Sequence, residues 1–392
     1  MRNWIHHVNR TTDWSFLPAV ARWTVEQGLS IQQIPAPTFE ERARGEYVLQ
    51  QFRDLGLCDT DIDAVSNVYG RMPGRNPLAP ALMISAHTDT VFSRDTNLTV
   101  SRTGSTLHGP GLGDNSMGVA GMLGLAYTLK QQNLTPEVDL WFVATSGEEG
   151  LGDLRGMRAA YARLAPRVGA VINIEGLALG HIYHSGIAVK RLKVSVTTEG
   201  GHSWLHFGRP NAIHVLSQLI TRISSIRPPS VPRTTYNVGM IEGGISVNTI
   251  APSASMLLDM RSEQQPALDA LEEQVRAHIR ALNTREQSFT IETVGNRPAG
   301  AISPEHPLVQ GAMAAVEAVG MTPVLETGST DGNIPLAAGC PTVTVGITRG
   351  GNAHRTDEFV ETEPVETGLR HLITLAVAAA QNSALQFMEH RA

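Results

Sequence analysis

Short, continuously apolar runs punctuate the first half of the chain: ALMISA (81–86), VDLWFVAT (138–145) and AVINI (170–174), with TVTVGI (342–347) far downstream. Runs of this length suit strands buried on both faces, as in a sheet covered by helices. Between the first two lies an apolar, Gly-rich segment, Met117 to Leu129, that reads as a helix. Phe16 to Gln33 and Glu40 to Leu55 also carry apolar residues at helical spacing. The alternation of such strands and helices predicts an α/β core.

The pattern changes near Ile187. Ala188 to Thr198 (AVKRLKVSVTT) alternates apolar and polar residues, as a half-exposed antiparallel strand does. A helix (211–224), strands (about 234–242 and 254–261), a helix (265–282) and a strand (288–294) follow. That order is β-α-β-β-α-β, a ferredoxin-like unit. The core-type runs resume after Arg297. The expected fold class is therefore α/β: a helix-covered mixed sheet from residues 1–187 and 297–392, with an α+β domain, 188–296, inserted.

A chain of 392 residues is long for one core, which agrees with two domains. Hydrophobic residues make up 42% and charged residues 17%, an ordinary globular composition. The net charge of −6, without a long basic run, argues against nucleic acid or an anionic membrane as partner. No stretch reaches the ~18 apolar residues of a membrane span. The N-terminus lacks the basic start and apolar run of a signal peptide, so a cytoplasmic protein is expected. Cys58 and Cys340 are too few for a disulfide framework and read as buried free thiols.

The candidate chemistry lies just past the predicted core strands, where open α/β sheets place their ligands. His87, in Ser85-Ala86-His87-Thr88-Asp89-Thr90, is a potential imidazole ligand, and Asp89 is placed to orient it. Asp114 follows the loop Gly109-Pro110-Gly111-Leu112-Gly113, whose glycines exceed what a helix cap needs and suit close approach to a ligand. Glu148 and Glu149 follow the most apolar strand, where adjacent carboxylates require an offsetting positive charge. Glu175 and His354 lie in two further strand-associated segments, NIEG and GGNAH. Each piece alone has an ordinary explanation, such as an N-cap or a solvated loop; together they occupy one topological place.

These residues carry a resemblance. HTDTV, GLGDNSMG, TSGEEG, the inserted segment with GGHSW and VNTIAP…DMR, and the terminal GGNAH resemble the M20 family of metallopeptidases and deacylases, across essentially the whole chain. The combination looks most like tripeptide-aminopeptidase-like and acetylornithine-deacetylase-like members. The resemblance implies two divalent ions, zinc first with manganese or cobalt as substitutes. His87, Asp114 and Glu175 would hold one; Asp114, Glu149 and His354 would hold the other, with Asp114 bridging. Many members carry Asp at the position of Glu175. Glu148 would be the general base and Asp89 the group that orients His87. His202 would stabilise the oxyanion, and Asn248, Arg261 and Arg297 would contact substrate. The inserted domain would be a lid that pairs two copies into a homodimer.

Physical logic agrees. Two metals ~3.5–4 Å apart lower the pKa of a bridging water and polarise a carbonyl, and a nearby carboxylate moves the proton. The implied activity is hydrolysis of an amide bond in a small peptide, or alternatively in an N-acyl amino acid. A binding protein that had lost catalysis would lack a ligand or Glu148, and none is missing. A serine hydrolase would need a GxSxG elbow after a strand, which the sequence does not offer.

Overall fold

In the computed structural model, which describes residues 1–386, the both-face apolar runs become neighbouring strands of a single sheet. The chain forms two compact units, Met1–Gly186 with the segment from Gly300 onward, and Ile187–Ala299.

The first unit begins with helices α1 (Arg2–Thr11), α2 (Leu17–Gln32) and α3 (Arg42–Asp54). Strands β1 (Cys58–Ile62), β2 (Val68–Met72), β3 (Ala81–His87), β4 (Ser101–Thr103) and β5 (Thr106–His108) precede helix α4 (Met117–Gln131). Then come β6 (Leu140–Thr145), α5 (Arg155–Leu164), β7 (Val168–Ile174) and β8 (His181–Gly186). The second unit contains β9 (Ala188–Thr198), β10 (Gly201–His202), α6 (Ala212–Ser224), β11 (Thr234–Gly243), β12 (Thr249–Ile250), β13 (Ser253–Ser262), α7 (Gln265–Leu282) and β14 (Gln287–Arg297). The chain returns to the first unit through β15 (Gly300–Ala301), α8 (Pro307–Ala318), β16 (Val324–Gly328), α9 (Asn333–Ala337), β17 (Thr342–Val345), β18 (Gly350–Gly351), β19 (Phe359–Glu361) and α10 (Val365–Gln386).

The large sheet runs β1-β2-β6-β3-β7-β17-β8-β15, with β16 also paired to β8. It is mixed: β6, β3, β7 and β17 are mutually parallel, and β1, β2 and β15 run antiparallel to their neighbours. Every residue of β3, β6 and β17 is buried. Successive side chains of a strand point to opposite faces. Accordingly Leu82, Ile84, Phe142 and Ala144 join the core under α2, α4, α8 and α10. Met83, Trp141 and Val143 pack instead with Met157, Ala160 and Leu164 of α5. That two-sided burial is why these strands read as continuous apolar runs. Truncating a residue such as Phe142 to Ala would cost about 3–5 kcal/mol. A separate small sheet, β18-β19-β5-β4, was not anticipated, because its strands are only two or three residues long.

The second unit has the order β11-β13-β9-β14, all antiparallel, with the β-α-β-β-α-β sequence of a ferredoxin-like unit. Burial along β13 alternates, and Met256, Leu258 and Met260 pack with Leu216 and Leu219 of α6 and Leu271 and Val275 of α7. Asn211 caps α6 by accepting from Ile213 N at 2.9 Å, satisfying an otherwise orphan helix donor. The outer strand β11 leaves Met240 and Ile241 exposed.

One expectation needs correction. Cys340 is buried, but Cys58 is exposed at the start of β1, where an outermost strand lacks cover. No helix among the described residues is long and apolar enough to cross a membrane.

Candidate metal centre

The side chains of interest converge beyond the carboxyl ends of the parallel strands. His87 is the last residue of β3; Glu148 and Glu149 follow β6; Glu175 directly follows β7. Asp114 lies on the Gly-rich turn before α4, and His354 on the connection from β18 to β19. Donor atoms of His87, Asp114 and Glu175 all lie within 4.8 Å of one another, as do those of Asp114, Glu149 and His354. His87, Glu148 and Glu149 form a third, overlapping group, so proximity alone does not separate a ligand from a base at 148 and 149.

Asp114 joins the first two groups. Its Oδ1 lies 3.1 Å from His87 Nε2 and its Oδ2 2.9 Å from His354 Nε2. Glu175 Oε2 is 3.4 Å from His87 Nε2, and Glu149 Oε1 is 3.0 Å from His354 Nε2. His87 Nδ1 is 3.1 Å from the backbone carbonyl of Asp89. A carbonyl only accepts, so Nδ1 carries a proton, and in the neutral ring the Nε2 lone pair would face Asp114 and Glu175, as a metal ligand's must.

Asp89 is fully buried, and its carboxylate lies 3.5 Å from His87 Nδ1. Its oxygens make closer contacts to the main chain: Oδ1 accepts from Glu148 N and Oδ2 from Glu149 N, both at 2.9 Å, and Thr38 donates to Oδ2. One side chain thus positions both glutamates. A second buried carboxylate, Glu41, accepts from Gly147 N at 3.0 Å and from Arg155. Gly147 has φ +63°, and a Cβ there would meet Arg155 Cγ at 2.6 Å, so this turn requires glycine.

The electrostatics call for cations. Burial raises the pKa of Glu149 and of Glu175, each to about 7. Burial also opposes a charged His87, but the Glu175 charge and hydrogen bonding to Asp114 outweigh it and raise His87 well above its ordinary value. Hydrogen bonds to Asp114 and Glu149 lift His354 to about 10. Burial works against ionised Asp114, yet the two imidazoles hold its pKa down. Among the described residues, no Lys or Arg ion-pairs with Asp114, Glu149 or Glu175; the imidazoles alone supply the opposing charge. A set of carboxylate oxygens and imidazole nitrogens without sulfur fits zinc, manganese or cobalt.

The remaining sequence candidates belong to the second unit. His202 on β10 is paired with Thr249, and Ser203 N donates to the carbonyl of Asn248, which brings His202 and Asn248 together. His202 Nδ1 accepts from Trp204 N at 3.2 Å, so the neutral ring carries its proton on Nε2. Arg261 is not with them: it lies at the far end of β13, roughly 25 Å along the strand from Ser253. It donates to Asp259 at 2.7 Å. Arg261 and Arg297 both register with Val189 on β9, Arg261 exposed and Arg297 buried.

Three buried carboxylates escaped sequence reasoning: Glu41, Asp331 and Glu358. Asp331 accepts from Thr145 through Oδ2, while its Oδ1 has no hydrogen-bond partner among the described residues. Burial and then the Glu148 charge push Asp331 up to about 8. Its sequence context, Ser329-Thr330-Asp331-Gly332, has the composition of a solvated turn and hides the burial. Glu358 stands four residues past His354, a spacing that could have marked it.

The family model for peptidase family M20/M25/M40 matches residues 83–378. A putative succinyl-diaminopimelate desuccinylase, DapE, of Mycobacterium tuberculosis is 29% identical over 286 residues, covering 71% of this chain and 77% of that one. An acetylornithine deacetylase of Edwardsiella ictaluri is 27% identical over 345 residues, 82% of this chain and 87% of that one. Among solved structures, a tripeptidase from Staphylococcus aureus superposes with a TM-score of 0.76 at 20% identity, over 92% of this chain and 99% of that one. With the family model spanning strands, second unit and both histidine-bearing segments alike, the chain is a member of peptidase family M20/M25/M40, a metallohydrolase by descent.

Proposed function

We propose that this metallohydrolase uses two divalent ions to cut the amide bond of a small peptide, as an aminopeptidase or dipeptidase does. Asp114 carries the reading, with one carboxylate oxygen 3.1 Å from His87 Nε2 and the other 2.9 Å from His354 Nε2. His87, Asp114 and Glu175 would hold one ion, and Asp114, Glu149 and His354 the other, zinc first and manganese or cobalt as substitutes. Bound ions of this kind polarise a carbonyl and lower the pKa of water. Glu148, fixed through its backbone by Asp89, accepts the water's proton and delivers it to the departing amine. His202 offers its Nε2–H to the oxyanion. Arg261 and Arg297 bind substrate, arginine being suited to a carboxylate through its two-pronged donor geometry, while Asn248 and His202, at the other end of β13, reach it from the second copy of a dimer. The second unit is the lid and dimerisation domain, and a second copy covers the apolar edge at Met240 and Ile241. The enzyme works in the cytoplasm.

The names of two relatives, a desuccinylase and a deacetylase, favour a second reading, an N-acyl amino acid deacylase. Assaying tripeptides, dipeptides and N-acyl amino acids with metal-stripped protein, before and after adding Zn²⁺, Mn²⁺ or Co²⁺, separates the two. Activity is expected to vanish with the ions and return with them. Full activity in metal-free protein, checked by elemental analysis, would refute both readings.

A further inference from the structure

The sequence patterns assign no role to Glu358, yet it makes an unusual set of contacts. It is fully buried, and no Lys, Arg or His ion-pairs with it among the described residues. Its carboxylate is satisfied by main-chain donors instead. Oε1 accepts from Gly113 N at 2.6 Å and Asp114 N at 3.0 Å, and Oε2 accepts from Gly111 N at 3.1 Å. Its own carbonyl accepts from Gly109 N at 2.8 Å, and its N–H donates to the carbonyl of Arg355 at 3.1 Å. Gly111 has φ +70°, a left-handed conformation that helps turn successive N–H groups toward one point.

A buried carboxylate is expensive unless its lone pairs are filled. A neutral side chain of the same length could not accept three N–H groups at once. Glu358 also sits on the segment between β18 and β19 that bears His354. It therefore ties two stretches of chain far apart in sequence, one carrying Asp114 and the other His354.

We propose that Glu358 is a positioning residue that locks the Asp114 turn to the His354 segment, so that ion binding requires both to be docked. The proposal rests on the two-ion reading above. It makes the centre cooperative: docking one segment prepares the ligand on the other, and an ion that engages Asp114 and His354 tightens the same clasp.

The test uses the full-length protein, stripped of metal and titrated with Zn²⁺ by calorimetry, as wild type, Glu358→Gln and Glu358→Asp. Asp357→Asn, an exposed neighbour, is the control. Backbone hydrogen exchange is followed at 109–114 and 350–359. In the wild type, Zn²⁺ should slow exchange in both segments together. Glu358→Gln turns two N–H donors toward backbone N–H groups and should weaken Zn²⁺ binding ~10–100-fold, as losing support behind a ligand does. It should also uncouple the two segments, so that Zn²⁺ protects one without the other. Should Glu358→Gln not fold, Glu358→Asp keeps the charge but is too short to reach all three donors, and it should show the same uncoupling. Wild-type Zn²⁺ affinity and joint protection in a folded Glu358 variant, even with a lowered melting temperature, would overturn the proposal and leave Glu358 a purely structural residue. Failure of the wild type to bind two ions would overturn the two-ion reading itself, and is distinguished by the wild-type titration.

Discussion

In the first unit β3 and β6, which lead into the centre, are buried along their whole length, and His87, Glu148 and Glu149 are braced by buried neighbours. In the second unit the strands bury one face, and three of the candidates there are exposed. His87 is oriented by a carbonyl and Glu148 and Glu149 by Asp89, whereas among the described residues the Arg261 side chain ion-pairs with Asp259 on its own strand. The first arrangement fixes atoms before any substrate arrives. The second leaves side chains adjustable, which suits groups that grip a substrate more than groups that hold an ion.

The strongest way to break this contrast is at its rigid end. Glu148→Gln should retain both ions and lose kcat by ~10²–10⁴-fold. Asp114→Asn should instead strip ion occupancy, because both groups share that carboxylate. Elemental analysis beside steady-state kinetics reads both; ions lost from the Glu148 variant would reverse the assigned roles. Next in size is His202. A donor that meets only the transition state lowers kcat when removed, here by ~10²–10³-fold for His202→Ala. A change confined to KM would place His202 with the substrate-gripping residues.

A third expectation concerns what burial costs the first unit. His371 in α10 is fully buried, and neither ring nitrogen has a hydrogen-bond partner among the described residues. Burial lowers its pKa to about 4 from an ordinary 6.5. The unfolded chain therefore takes up a proton before the folded one does. Stability is intact above pH 6.5 and falls as pH drops toward 4, by about 3 kcal/mol in all. Denaturant melts of wild type and His371→Leu across that range should show the slope from this residue only in the wild type. The smallest effect belongs to the exposed end: Arg261→Ala should raise KM ~10-fold or more, through loss of a charge-assisted hydrogen bond, with kcat nearly unchanged. A fall in kcat at constant KM would move Arg261 to the transition-state side of the contrast, beside His202.

The same contrast explains what the sequence disclosed. Strands β3, β6, β7 and β17 were legible because two-sided burial writes an unbroken apolar run, and the second unit because one-sided burial writes an alternation. The centre was legible where glycine clusters and paired acids broke those runs, at Asp114 and at Glu148 and Glu149. Asp331 and Glu358 were not, since an acid in a polar context gives no local sign that it is buried. Their burial comes from segments far away in the chain: Thr145 for Asp331 and Gly111 to Asp114 for Glu358. The short strands β4, β5, β18 and β19 have too few residues for any period to show.

Asp89 grips peptide groups and leaves the side chains at 148 and 149 out of its bonding. Placement and chemical identity are therefore separable at those two positions. A combinatorial library that varies only 148 and 149, with Asp89, Glu41 and Gly147 kept, would present Asp, His, Cys or Asn on an unaltered backbone. For an engineer, the turn is a socket: its shape is set from behind, and the residues facing the centre are interchangeable parts with which to retune ion preference or reaction type.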